Sequence, residues 1–541
     1  MIRAPGFELA WPDRRSVPPT TIRQDDRQTM KEYGAAIATS SKLAADAGAT
    51  MIEAGGNAAD AAVAAALVSG VTEPGVVDLG SGAYATIWPA DGPPLTLDGG
   101  VEMPGRGLDE DQFGRGLREA VMEYAGGVRT FVGHGSVGTP GTLATLDAIA
   151  RRFGRLPWAD LVEPAYQHAR NGFALSYASH TYMEYCHEVI FGWDPRSRAA
   201  LHHPDGSLLG PGETVHVEGL SDSLRRIADH GAEDFYTGEI GQLIAAEIAE
   251  HEGILTERDL AAFEVLDREP LMVEMDGWQV ATNPPPAVGG AVLAAMLLLL
   301  GDRPAGPWTA DDLALLARAQ QAAIGFRAGT LDVTLDPEWE VRRLLEEAVP
   351  GPLRAFVTSP STTHTSVVDS DGLALSVTLS SGYGSGLLPS GTGIWMNNCL
   401  GELELNRRGI HAWPVGRRLP SNMAPTIARR GDGTVLAVGS PGADRITTAI
   451  LQTLVGHVRI GLPLADAIEY PRLHVALEET GPMMFYETGL PVESIDLPRR
   501  EMPAGSMMFG GVGAARWSPR TGFEVAADGR RAGGTAIAHG A

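Results

Sequence analysis

One stretch, residues 360–382, decides the fold: PSTTHTSVVDSDGLALSVTLSSG. Two runs rich in β-branched residues flank a short Ser-Asp-Gly turn at 370–372, and this pattern is typical of a β-hairpin. If the turn is centred near Asp371, the numbers of opposed residues add up to about 742. Thr362, at the start of one strand, is therefore predicted to lie opposite Ser380, at the end of the partner strand.

The chain changes character around this hairpin. Before about residue 355 it shows mainly helical patterns, and Ser40 or Ser41 and then Asn57 are expected to cap the first two helices. After residue 355 the sequence consists mostly of strand-like runs with Gly and Asp turns, interrupted by one helix predicted at 446–458. This order favours an α+β protein or a layered α/β/β/α arrangement.

Composition excludes several classes of function. The 541 residues include 42 Lys and Arg against 67 Asp and Glu, so the formal net charge is −25. Such an acidic chain repels phosphate backbones and anionic lipid, and we expect neither a nucleic-acid nor a membrane partner. With only Cys186 and Cys399, a disulfide framework and a Cys-rich metal site are excluded. We expect no metal and no cofactor.

Neither a membrane span nor a targeting segment is predicted. The most apolar run, residues 292–300, is much shorter than the roughly 20 residues that a spanning helix needs. The first 28 residues lack the apolar core of a secretory signal. A cytoplasmic location is therefore expected, with secretion left open.

Several long blocks of the sequence resemble the γ-glutamyltransferases, which are N-terminal-nucleophile hydrolases. The blocks occur in the order of that family and cover about residues 35–475, with a weaker match beyond. They are EAGGNAADAAVAAALVSGVTEPGVVDLGSG (53–82), TPGTLATLDAIARRFGRLPWADLVEPAYQHARNGF (139–173), NPPPAVGGAVLAAML (283–297), STTHTSVVDSDG (361–372), GTGIWMNNCLGELELN (391–406), RLPSNMAPTI (418–427), GSPGADRITTAILQTL (439–454) and PLADAIEYPRLHV (463–475).

This resemblance implies both a fold and a maturation step. The fold would be a four-layer αββα sandwich, in which two stacked and mostly antiparallel sheets are flanked by helices. The chain would cut itself between Ser361 and Thr362. Residues 1–34 would form an extended arm, 35–361 the large helix-rich chain and 362–541 the small strand-rich chain, with both chains packed as one catalytic body.

The resemblance also assigns chemical roles. Thr362 would be the nucleophile, and its freed α-amine, with a reference pKa of about 7.7–8, would serve as its base. Ser380 matches a hydroxyl that hydrogen-bonds the nucleophile. Gly442 and Ala443 match a Gly-Gly pair whose backbone N–H groups form the oxyanion hole.

The residues that would hold the substrate are less typical of the family. Ser421 and Asn422 match a Ser-Ser pair that contacts the substrate α-carboxylate. Glu402 matches an Asp that holds the α-amino group, and Gly382 stands where an Asn would assist it.

A family arginine that pairs with the α-carboxylate is missing, because residues 99–101 read Gly-Gly-Val. Either another arginine replaces it, or the substrate is not a simple γ-glutamyl compound. Arg417 and Arg418 are the first candidates, since they directly precede Ser421 and Asn422. Arg106 is the next candidate.

Three functions are consistent with the sequence. The first is a self-processing enzyme that cleaves a γ-glutamyl or similar amide through a threonyl acyl-enzyme and passes the acyl group to water or an amine. The second is an acylase for a dicarboxylic-acid side-chain amide. The third is an unprocessed, non-enzymatic relative. The natural substrate, the acceptor and the formation of a homo-oligomer are left open by the sequence.

Overall fold

Two seven-stranded antiparallel sheets form the centre of the molecule. The computed structural model describes residues 22–23, 33–123, 127–301, 308–347, 362–478 and 481–540. The first sheet contains, in spatial order, Gly534–His539, Gly34–Thr39, Thr363–Asp369, Ala374–Ser380, Gly82–Trp88, Leu95–Gly99 and Leu266–Arg268. The second contains Ile22–Arg23, Gly522–Ala527, Gly513–Ser518, Val435–Gly439, Thr426–Arg430, Trp278–Thr282 and Leu271–Met275.

The two sheets pack face to face over small and β-branched side chains. Ala36 and Val368 from the first sheet share one buried cluster with Ala437 and Val525 from the second. Alternate residues of the same strands, such as Ile37 and Val367, point to the opposite face and pack under helices. This alternation is expected for strands that are buried on both faces.

Helices cover the outer face of each sheet. Those over the first sheet include Lys42–Glu53, Ala58–Thr72, Thr142–Phe153, Trp158–Asn171, Leu220–His230 and Glu239–Glu250. Those over the second are Gly289–Leu300, Ala310–Phe326, Pro337–Glu347, Arg445–Leu454 and Leu464–Glu469. The α+β fold with four αββα layers, predicted from the sequence, is confirmed.

The shorter elements lie outside the two main sheets. Three further sheets are formed by Leu473–Glu478 with Gly481–Glu487 and Arg499–Met502, by Arg118–Met122 with Val128–Val132, and by Phe173–Ala174 with Thr214–Val215. The short helices are Tyr177–Met183, Pro195–Leu201, Glu233–Tyr236 and Glu257–Ala261. None of the helices in the described part of the chain has the length and apolarity needed to cross a membrane.

Local sequence signals explain where the first helices begin. The Ser41 side chain accepts a hydrogen bond from the backbone of Ala44, and Asn57 forms a capping box with Asp60. Both caps agree with the sequence prediction. The helix predicted at 446–458 is α-helical only over Arg445–Leu454 and widens into a π-helical turn over Val455–Arg459.

Strands from both sides of the Ser361–Thr362 junction are interleaved. Gly34–Thr39 lies between Thr363–Asp369 and Gly534–His539 in the first sheet. Most of the predicted arm, 1–21 and 24–32, lies outside the described residues. Ile22–Arg23 forms an edge strand of the second sheet, and Gly34 already belongs to a central strand. The arm boundary predicted at residue 34 therefore falls inside a strand.

Candidate active site

The predicted hairpin places two hydroxyl groups side by side. Thr363 pairs with Leu379, so that Thr362 and Ser380 lie opposite each other in the same register. The Thr362 Oγ1 donates a hydrogen bond to the Ser380 Oγ at 3.3 Å. The Thr362 side chain is only 4% exposed. The register derived from the sequence is therefore the one that the hairpin adopts.

The turn of the hairpin fixes this register. One carboxylate oxygen of Asp369 accepts hydrogen bonds from the backbone N–H groups of Asp371 and Leu373, both at 3.0 Å. Gly372 has φ +93°, which favours glycine at this position. Because Thr363–Asp369 also pairs with Gly34–Thr39 on its other side, the start of this strand is held within the sheet.

Thr362 and Ser380 open into a cleft, which we call the Ser421 cleft. Every residue that the sequence assigned to substrate contact, namely Glu402, Ser421, Asn422 and Gly382, lies on its wall. The rest of the wall is formed by Val101, Cys399, Glu404, Leu405, Leu419, Pro420, Met423, Ala443 and Ile446.

Gly442 and Ala443 form a tight turn directly before the helix Arg445–Leu454. Their φ angles are +127° and +53°, so Ala443 occupies the left-handed region. Within the described residues, neither of their N–H groups donates to an acceptor. Ala443 lines the Ser421 cleft together with Thr362. Two N–H groups of this kind are suited to bind an oxyanion, and the alanine side chain does not prevent it.

Ser421 and Asn422 lie on a loop tied down by main-chain bonds. The Ser421 carbonyl accepts hydrogen bonds from the N–H groups of Val288 and Gly289, at 2.8 and 3.2 Å. The Asn422 Oδ1 is buried and has no hydrogen-bond donor within the described chain. Its unsatisfied acceptor is therefore available to a ligand in the cleft.

Gly382 and Glu402 are structurally coupled. Gly382 has φ +68°, and a Cβ atom there would lie 2.5 Å from the Asn398 Oδ1 and 2.9 Å from the Glu402 carboxyl carbon. A side chain at position 382 would therefore collide with Glu402. The two departures from the family pattern compensate each other, because the missing side chain makes room for a glutamate that is longer than an aspartate.

A second glutamate lies next to Glu402. Burial raises the pKa of Glu402 well above its ordinary value, and the charge of Glu404 adds to the increase. Burial also raises the pKa of Glu404, whose Oε1 accepts a hydrogen bond from the Tyr383 hydroxyl. The sequence reads Glu-Leu-Glu at 402–404, a spacing that does not by itself place both side chains on one cleft wall.

The three arginines proposed as carboxylate partners do not line the Ser421 cleft. Arg418 is buried and pairs with Asp98 at 3.1 Å and with Glu102 at 3.0 Å. Arg106 pairs with Asp259 at 3.1 Å. Arg417 donates to a backbone carbonyl of residue 335 at 2.8 Å. Their proximity in sequence to the cleft loops was misleading, since each guanidinium is drawn to an acceptor outside the cleft.

A second, smaller cleft lies on the other side of Thr362, and we call it the Glu73 cleft. The Ser40 Oγ donates to one carboxyl oxygen of Glu73 at 2.6 Å, and the Thr363 Oγ1 donates to the other at 3.2 Å. Burial raises the pKa of Glu73. Ser361, the residue on the other side of the predicted cut, lies outside the described residues.

No group of three or more His, Cys, Asp or Glu side chains suited to hold a metal ion occurs within the described ranges. Cys186 and Cys399 are both free thiols. The polar groups around Thr362 are thus hydroxyls, carboxyls, an amide and main-chain N–H groups.

Comparisons with known proteins agree with this geometry. The glutathione hydrolase proenzyme of Escherichia coli (strain K12) is 29% identical over 495 residues, which cover 84% of this chain and 83% of that protein. The acylase ACY 1 proenzyme of Pseudomonas sp. (strain SE83) is 30% identical over 467 residues, covering 81% and 82%. The structure of cephalosporin acylase from Bacillus halodurans superposes with a TM-score of 0.77 at 23% identity, over 97% of this chain and 98% of that chain, which shows a shared fold.

The family assignment follows from the extent of the match. The family model described as gamma-glutamyltranspeptidase matches residues 44–538, which include the hairpin, the described lining of the Ser421 cleft and the turn at 442–443. The resemblance identified from the sequence blocks is therefore confirmed, and the chain belongs to the γ-glutamyltranspeptidase family.

Proposed function

We propose that this protein is a self-processing amide hydrolase or acyltransferase in which Thr362 is the nucleophile. One observation carries the proposal. The Thr362 hydroxyl lies at the start of a central strand, bonded to Ser380, and shares a cleft with Ala443 of the 442–443 turn, whose two N–H groups are unused within the described chain.

Self-processing would come first. The Thr362 hydroxyl oxygen adds to the Ser361 carbonyl carbon, the C–N bond breaks, and the nitrogen takes up a proton. Water then hydrolyses the resulting ester to leave a Ser361 carboxylate and a free Thr362 amine. The products are chains of 361 and 180 residues. Their interleaved strands support the view that they stay together.

Turnover would use the same atoms. The free Thr362 amine accepts the hydroxyl proton, and the oxygen attacks the amide carbon of the substrate. The N–H groups of Gly442 and Ala443 stabilise the oxyanion, an effect worth several kcal/mol in sites of this kind. The amine product leaves, and water or a second amine takes the acyl group from Thr362.

The first candidate substrate is a γ-glutamyl-like amide, which is consistent with relatives named glutathione hydrolase. The second candidate is an amide of a different acyl group, and relatives named acylase support it. A specific observation favours this second candidate, because none of the described residues that line the Ser421 cleft is an arginine or a lysine.

N-terminal sequencing and the intact mass of the purified protein test the proposal. We expect a fragment of 180 residues that begins at Thr362 and is absent from the Thr362→Ala variant. A fragment that begins at Thr363, or a single uncut chain, would contradict the assignment. An uncut wild-type chain would favour the non-enzymatic reading.

A further inference from the structure

Among the described residues that line the Ser421 cleft, the only ionisable side chains besides Cys399 are acidic. These are Glu402 and Glu404, and none of the described lining residues is a lysine, an arginine or a histidine. A ligand carboxylate in this cleft would face two carboxyl groups, while a ligand ammonium would favour the ionised form of both and pair with them.

The Glu402 carboxyl group has no protein partner within the described chain. Its side chain is 7% exposed, and within the described residues its carboxyl group makes no hydrogen bond and no ion pair. The buried Asn422 Oδ1 likewise lacks a donor. A buried acceptor without a donor is costly, so Asn422 favours a ligand that brings an N–H group, and the unpaired Glu402 carboxyl group lies on the same cleft wall to accept another.

The arginines near the two glutamates are bound to another carboxylate. The Arg327 Nε donates to Asp332 at 3.1 Å. The Arg407 Nε donates to the main-chain carbonyl of Glu404 at 3.0 Å and lies 3.3 Å from the Asp332 carboxyl group. Arg327 is close enough to lower the pKa of Glu402, but it does not reach the wall of the cleft. Val101 does line the cleft, but its apolar side chain cannot donate a hydrogen bond to a carboxylate.

We propose that the acyl group cleaved by this protein carries an ammonium group and no carboxylate at the end away from the scissile amide. The inference rests on the proposed function of Thr362. The simplest acyl group of this class is 4-aminobutanoyl, which is a γ-glutamyl group without its carboxylate. Glu402 holds the ammonium group, Asn422 accepts a further N–H bond, and Val101 packs against the methylene chain.

Four p-nitroanilides test this proposal, since they carry every combination of the two groups. γ-Glutamyl has both, 4-aminobutanoyl only the ammonium, glutaryl only the carboxylate, and butanoyl neither. The processed enzyme is assayed by release of p-nitroaniline, with an enzyme-free control for lactam formation. We expect kcat/KM for 4-aminobutanoyl to exceed that for each of the other three by at least tenfold.

A variant separates electrostatic recognition from the shape of the cleft. Glu402→Gln keeps the size of the side chain but removes its charge, and it is expected to reduce the preference for 4-aminobutanoyl over butanoyl at least fivefold, mainly through KM. Glu250→Gln, the same change on an exposed helix end, serves as the control and leaves the preference as it is. A preference that survives Glu402→Gln overturns the proposal.

The other outcomes are also decisive. A preference for glutaryl, or a γ-glutamyl rate equal to or above the 4-aminobutanoyl rate, would mean that a cation such as Arg327 reaches the ligand. Either result overturns the inference about the acyl group but leaves the proposed role of Thr362 intact. A protein that is cut at Thr362 but cleaves none of the four anilides also overturns it. A protein that is not cut at all refutes the proposed function itself.

Discussion

Replacing Ser380 by alanine removes the hydroxyl group but leaves the residue in its position in the strand, so the substitution tests the hydroxyl group alone. In the wild type the Ser380 Oγ accepts one hydrogen bond from the Thr362 hydroxyl and one from the Gly382 N–H, both at 3.3 Å. A neutral hydrogen bond contributes about 1 kcal/mol, so the loss of the first alone costs about fivefold in rate. If Gly382 is left without an acceptor as well, the cost rises to about 2 kcal/mol, or roughly thirtyfold.

Two matched variants complete the design. Ser380→Thr retains a hydroxyl and is expected to process within about threefold of wild type. Ser376→Ala makes the same chemical change on the same strand, but its Oγ bonds the backbone of Val438 and Thr426 rather than Thr362. It should lower the melting temperature and leave the processing rate unchanged.

The assay is the rate at which the full-length chain disappears on a denaturing gel after synthesis. Turnover of the processed enzyme gives a second readout. If Ser380→Ala processes within twofold of wild type, the hydroxyl does not orient the nucleophile and this reading of the hairpin is refuted. If Ser376→Ala slows processing equally, the effect of Ser380→Ala is one of strand stability.

Further predictions concern the nucleophile, acid stability and a buried ion cluster. Thr362→Ala should remain a single inactive chain by intact mass, while Thr362→Ser, which keeps the hydroxyl, should process slowly. Burial lowers the pKa of His364 to about 3, whereas the pKa of a histidine in the unfolded chain is about 6.5. The free energy of unfolding should therefore fall as the pH drops below about 6.5, by about 2 kcal/mol at pH 5. Chemical denaturation at several pH values measures this dependence, and His364→Gln should reduce it. Arg418→Ala should cost about 2–3 kcal/mol in the same assay, because Asp98 and Glu102 lose a buried partner and keep only the more exposed Arg268 and Arg106. It should not raise the KM of carboxylate substrates selectively.

The parts of the fold set by local sequence were predictable. The Asp371-Gly372 turn determines which residues pair in the hairpin, and the caps at Ser41 and Asn57 determine where two helices begin. Each of these features depends on residues only a few positions apart, so the pattern in the sequence contains the whole interaction.

Long-range partners were not predictable in the same way. Gly34 pairs with His539 in the first sheet, and Thr363–Asp369 pairs with Gly34–Thr39. Nothing in a run of small and β-branched residues specifies which of several similar strands lies beside it. Tertiary packing makes that choice, which is why the sequence supplied the layers but not the strand order.

In the candidate site, too, features set by local sequence were predictable and long-range contacts were not. Thr362 and Ser380 were found from hairpin register, whereas Arg418 was misplaced because its contacts come from Asp98, more than three hundred residues earlier in the chain. Glu404 was missed since its position beside Glu402 depends on the path of a loop with no regular period. Residues on strands are predictable from spacing, and residues on loops require coordinates.

In the proposed mechanism, catalysis and the choice of substrate therefore depend on different kinds of groups. The proposed oxyanion donors are main-chain N–H groups, so an alanine rather than a glycine at Ala443 leaves them in place and costs about 1–2 kcal/mol for its left-handed conformation. The groups proposed to select the acyl chain are loop side chains, and the absence of a side chain at Gly382 leaves room for Glu402. The reaction class can thus persist while the charge of the cleft, and with it the substrate, changes.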